Sequence, residues 1–263
     1  MKGTFKETFK AWIMKRNPIF GSQLKRMSFL RILTAALTMY LVIPVYLFLH
    51  LICLTLLYNG IVCPLLGIER IKLRNYIIID RHLIPGLSLT ARFHCIYCGY
   101  ANGICVATGV LLTQISKVSK ESISPTFRLL VTIPYFLASS LSSLGQLLIV
   151  IDYNLAISPP LGLHTMSIKE AYAKMAKVAF GDSFTIFGTV GQQFIRFEHA
   201  FALILANALE QVESQWCPIK HLNRNPDAIF PEHHSFFVER CELCELKKVL
   251  CAEGTVSPRK PRL

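Results

Sequence analysis

Residues 32–68, ILTAALTMYLVIPVYLFLHLICLTLLYNGIVCPLLGI, run for 37 positions without one charged side chain. A helix rises about 1.5 Å per residue, so about 20 residues cross a hydrocarbon core roughly 30 Å thick. This run is long enough with residues to spare. Two arrangements satisfy it: one tilted helix that continues into the interface, or a helical hairpin turning near Pro44 or at Asn59-Gly60. A second uncharged run, Leu129 to Ile151, holds 23 residues and includes Pro134 and a small polar patch of Ser139, Ser140, Ser142, Ser143 and Gly145. Small residues inside a membrane helix mark close helix packing. A pore lining is the sharper alternative.

The composition points the same way. The chain has 263 residues, 52% apolar and 17% charged, against about 25% charged in a soluble domain. Its mean hydropathy is +0.44. Disorder and a small secreted disulfide scaffold are both excluded by this apolar bulk and length. The expected fold class is mainly α: a helical integral membrane protein with a small Cys/His metal-binding cytoplasmic part. The divisions expected are a basic amphipathic N-terminal segment (1–31), a membrane segment (32–68), a CxxC unit (69–126), a second membrane segment (127–157), a helical cytoplasmic part (158–251) and a disordered basic tail (252–263). Within these, Arg74–Asp80 reads as a short strand, an apolar helix follows near 104–116, and helical spacing recurs over 167–180 and 192–214.

Lys and Arg outnumber Asp and Glu by 28 to 16, and eight of the basic residues fall within positions 1–31, where Glu7 is the one acid. The cluster runs directly into the apolar segment. Anionic lipid headgroups therefore fit the excess charge better than nucleic acid does, at about 1 kcal/mol per basic residue near the surface. The expected partners are the lipid bilayer and a further membrane protein, with no nucleic acid. The expected location is the bacterial inner membrane with a cytoplasmic N terminus. No cleavable signal peptide is expected, because the apolar run exceeds the usual length of such a peptide's core.

Nine cysteines, an odd number unevenly spaced, fit a reducing compartment with some thiols as metal ligands. The densest chemistry is FHCIYCGYANG, residues 93–103, and WCPIKH, residues 216–221. Two cysteines three apart can turn both sulfurs to one cation, and structural zinc takes four ligands. Pro218 suits the first turn of a helix, which makes Cys217 the cap and puts His221 one turn on. The candidate metal set is Cys95, Cys98, Cys217 and His221, holding zinc or iron. A thiol–disulfide pair and plain buried cysteines are the two competing readings of Cys95 and Cys98. A second candidate group is His233, His234, Cys241, Cys244 and Cys251.

Other features carry less. His50 in the first run is a haem or proton ligand, or a packing residue. Asp80-Arg81-His82 and Glu198-His199 are polar clusters suited to acid–base chemistry without a spacing rule behind them. No Walker A loop, dinucleotide fingerprint, HExxH or GxSxG occurs in the sequence.

The stretches Cys95-Ile96-Tyr97-Cys98-Gly99-Tyr100-Ala101-Asn102-Gly103 and Glu213-Ser214-Gln215-Trp216-Cys217-Pro218-Ile219-Lys220-His221 resemble the two signatures of a group of uncharacterised bacterial integral-membrane proteins, and Asp80-Arg81-His82 is similar to that group as well. The resemblance covers roughly residues 40–104 and 200–222. It implies a fold neighbourhood and, since the group holds its motifs close together in the chain, one shared metal site. It implies no reaction. Here 118 residues separate Cys98 from Cys217.

That interval sets a conflict. If both apolar runs cross once, the two motifs fall on opposite faces of the bilayer and cannot share a metal. A shared site requires all polar segments on one face, with the second run re-entrant. Three functions follow: a metal-stapled accessory protein, a metal-dependent enzyme on a membrane-embedded substrate with His94 or Glu213 as base, or a membrane thiol redox protein.

Overall fold

The computed structural model describes residues 27–85, 87–118, 124–163, 166–178, 188–216, 219–222, 225–231, 234 and 235, together with Thr8, Trp12 and Leu24. Most of the basic N-terminal segment and the C-terminal tail thus lie outside the described residues. The described residues form five long helical runs: α1 (Phe29–Leu66), α2 (Leu89–Ser116), α3 (Pro125–Asp152, running on through a π turn to Ile157), α4 (Ile168–Val178) and α5 (Gly188–Trp216).

α1 is one continuous run, so the first apolar segment is not a hairpin. Pro44 is accommodated in a first-turn position after a one-residue break at Val42. Residues Leu49–Val62 are wound as a π helix through Asn59-Gly60. The run stops at Gly67, whose φ of 67° is the left-handed cap that glycine adopts without strain. α1, α2 and the stretch Thr126–Ile157 are each long and apolar enough to cross a membrane. α2 was not expected at this length: the motif-bearing unit contains a full membrane-length helix that begins fifteen residues earlier than the apolar stretch near 104–116.

Side-chain contacts give the directions. Tyr40 meets Phe93, Tyr46 meets Tyr97 and His50 meets Tyr100, so α1 and α2 run parallel. Gly145 lies against Val45 and Leu49 while Tyr58 and Ser139 share one partner, so α3 runs opposite to α1. α5 runs opposite to α2, with His199 beside Gly109, and parallel to α3, with Phe194 on Phe136 and Glu198 on Ser139. α4 packs its Tyr172 on Phe197 of α5.

Two parallel helices in succession need a return path, and residues 68–88 supply it. The expected strand at Arg74–Asp80 is no strand; it is a 3-10 turn at Leu73–Asn75 followed by extended chain lying along α2. Irregular backbone is tolerated at membrane depth only where protein covers and satisfies it. Asn59 does so at one end, its amide bonding both Ile71 N and Ile71 O at 2.9 Å. The C-terminal segment does so further along, where Ile229 N donates to Asn75 O at 2.7 Å. Close approach to α2 requires Gly99 and Gly103. A Cβ on Gly103 would stand 2.6 Å from both Ile77 Cα and Tyr76 O, and one on Gly99 would strike Ile78 O.

This return path removes the conflict in the sequence. Residues 80–98 come back to the end of the bundle where α1 begins, and the end of α5 arrives at that same end. α3 is a full-length helix and no re-entrant element is needed.

Candidate functional site

The site is built where the return path, the first turns of α2, the end of α5 and the C-terminal segment converge. Ser88 starts α2 by accepting from Ala91 N at 3.2 Å, so the CxxC motif lies inside a helix, not on a knuckle. Helical spacing then sorts the motif. Tyr97 and Tyr100 turn to α1, against Tyr46 and His50, with His50 Nδ1 3.0 Å from Tyr100 Oη. That bond ties His50 of α1 to α2. Cys95, Cys98, Gly99 and Gly103 turn toward the return path.

Four charged or ionisable side chains and one guanidinium are buried there together. Arg81 is 1% exposed and Glu213 is 1% exposed. They are ion-paired through Nη2 and Oε1, and Arg81 Nη1 donates to Ile219 O at 3.3 Å. The other Glu213 oxygen, Oε2, is 2.7 Å from His234 Nε2. Asp80 pairs with His221 Nδ1 through one carboxylate oxygen and accepts from Leu222 N at 2.7 Å on the other. His221 stacks on Phe230 at 4.9 Å and stands 5.2 Å from the His234 ring. Burial pushes the Asp80 carboxyl up. The His221 bond and charge, the Leu222 amide and Arg81 together outweigh burial and hold it below the usual carboxylate value.

The two distant motifs meet at this cluster. Cys95 packs in one apolar group with Ile84 and Leu87 and with Ile219 and Leu222, the last two being neighbours of Cys217 and His221 in sequence. Cys98 lies close enough to Arg81 and Glu213 to feel both charges. Cys217 itself lies outside the described residues, as do His233, Cys241, Cys244 and Cys251. Among the described residues, no three His, Cys, Asp or Glu side chains converge on one metal position. Cys95, Cys98 and His221, the three described members of the candidate set, are therefore not gathered round one metal position. His221 suits such a set chemically: its Nδ1 is held by a carboxylate, the orientation that presents Nε2 of an imidazole to a metal.

Of the bases considered, Glu213 has both oxygens engaged, and His94 Nδ1 is held by Thr90 O at 2.8 Å. His82 Nδ1 has no hydrogen-bond partner among the described residues. The pairings Asp80–His221, Arg81–Glu213 and Glu213–His234 were not read from sequence. The signal that pointed nearest was the charge-dense DRH triplet, which named one half of each of the first two pairs.

Comparisons with family models, curated proteins and solved structures give no match to this chain. Its class rests on its own geometry: a bundle containing three helices long and apolar enough to span a membrane, with a buried ionic cluster at one end.

Proposed function

We propose that the protein is an integral membrane protein of the bacterial inner membrane, N terminus in the cytoplasm, in which Cys95, Cys98, Cys217 and His221 hold one zinc or iron ion. The ion's role is structural. It staples α2 to the end of α5 and to the C-terminal segment, and the stapled end serves as an accessory or docking element for another membrane protein. The observation that supports this reading is the placement of Cys95 against Ile219 and Leu222, the neighbours in sequence of Cys217 and His221, with His221 oriented by Asp80.

The orientation follows from the basic residues before α1, which favour the cytoplasmic face. The site is at that end of the bundle. A zinc ion there would link chain segments already joined by the Arg81–Glu213 and Asp80–His221 pairs. The enzyme reading is supported less well, because Glu213 has both carboxylate oxygens engaged. The redox reading meets the burial of Cys95 and Cys98, 4% and 8% exposed, which leaves a thiol partner little access.

The test is the metal content of the detergent-purified protein prepared without oxygen, beside Cys98→Ser and Cys217→Ser. One equivalent in the parent and none in either variant supports the shared site. Loss in one variant alone, or no metal in the parent, refutes it.

A further inference from the structure

A second buried polar group lies away from that site, at the level where α1, α3 and α5 touch. Glu198 of α5 is fully buried, between two helices long and apolar enough to span a membrane. Tyr58 of α1 donates to its Oε2 at 2.6 Å, and Ser139 of α3 donates to the same oxygen at 2.8 Å. No Lys, Arg or His pairs with it among the described residues; the other titratable groups that face it are Tyr58, Tyr135 and Cys53. A carboxylate in this setting has no counter-charge, an arrangement proteins retain at membrane depth for function.

The hydrogen-bond inventory shows what is missing. Glu198 Oε1 and Gln146 Oε1, one turn beyond Ser142, are buried without a donor in good geometry among the described residues. Ser142 receives Gln146 Nε2 at 3.0 Å, and its own hydroxyl hydrogen-bonds the carboxyl as those of Tyr58 and Ser139 do. Three hydroxyls thus serve the carboxyl, none supplies a positive charge, and Gln146 Oε1 stays without a donor. Water would satisfy the acceptors but not the charge. A single carboxylate with hydroxyl and amide oxygens around it matches a monovalent cation, since oxygen-only ligand sets suit hard ions and one negative charge is neutralised by one positive charge. A proton on Glu198 neutralises the same charge.

We propose that Glu198, with Ser139, Ser142, Tyr58 and Gln146, forms a membrane-depth site that holds either a proton or a sodium-sized cation, one displacing the other. Binding of the cation releases the carboxyl proton, so the site stays neutral in both states.

The test is infrared difference spectroscopy on the purified full-length protein at mildly acidic pH, exchanging choline chloride for sodium chloride at equal concentration. The expected result is a protonated-carboxyl C=O band in choline that disappears in sodium and is absent from Glu198→Gln. Tyr58→Phe keeps the carboxyl and should shift the band, which assigns it even if Glu198→Gln does not fold. Ser139→Ala should raise the sodium concentration needed by roughly tenfold, the equivalent of about 1.4 kcal/mol. A Glu198 band indifferent to sodium overturns the proposal, because the group is then a permanently protonated packing residue. No Glu198-dependent band in either salt overturns it too, because the group is then never protonated.

Discussion

Glu213→Ala removes the carboxylate that Arg81 and His234 both engage, and the structure allows its cost to be worked out. Arg81 and Glu213 are each 1% exposed, so water cannot replace the lost partner. Deleting one member of such a pair strands the other and costs about 3–5 kcal/mol. At about 2–4 °C per kcal/mol for a protein of this size class, the melting midpoint should fall by roughly 6–20 °C. Removing both charges is a different perturbation. Arg81→Met with Glu213→Leu removes both members of the pair, and apolar replacements of a buried pair are often neutral, so the double variant should recover part of the loss, the His234 bond to Glu213 and the Arg81 charge near Asp80 staying lost. The assay is reversible denaturation in a fixed detergent, run as a double-mutant cycle. A single variant within about 1 kcal/mol of the parent, or a double variant as unstable as the two singles added, would refute the reasoning.

Three further outcomes follow from named contacts. Gly103→Ala places a Cβ 2.6 Å from backbone of the return path and should cost about 1–3 kcal/mol by overpacking, whereas at Gly109 the nearest atom is His199 Nε2 at 3.7 Å and alanine should be close to neutral; thermal melts of the two variants decide it. Because the folded Asp80 carboxyl is held below its ordinary value, its contribution to stability is present above the unfolded value of about 4 and is lost as pH falls from there through the folded value. Asp80→Asn should therefore flatten the acid limb of the stability–pH curve by up to about one proton and leave its neutral limb level. Cys53 is fully buried in α1, far along the bundle from the cluster, so Cys53→Ala should leave metal stoichiometry unchanged when Cys95→Ser abolishes it.

Much of the helical frame was readable because its cause is local. The spacing over 167–180 and 192–214 anticipated α4 and α5 to within a few residues at each end, and the two uncharged runs anticipated α1 and α3. The first half of α2 was misread for an equally physical reason. Arg92, His94, two cysteines, Asn102 and two glycines lower its apolar signal, and a CxxC followed by glycine looks like a turn. What makes it helical is tertiary: the return path needs Gly99 and Gly103 on one face, and α1 receives Tyr97 and Tyr100 on the other. The candidate site divides in the same way. The residue types were visible in the sequence, and so was the pairing of the two motifs, but the partners were not. Asp80 and His221 are 141 residues apart and Arg81 and Glu213 are 132 apart. No periodicity reports contacts of that range, and the return path that closes them carries an irregular backbone.

The shared site is tested most directly by X-ray absorption at the metal edge of the anaerobically purified protein. The account predicts a four-ligand shell of three sulfurs at about 2.3 Å and one nitrogen at about 2.0–2.1 Å, with Cys217→Ser changing that shell or emptying the site. A shell of oxygen and nitrogen alone, or a sulfur shell that survives Cys217→Ser intact, would contradict it.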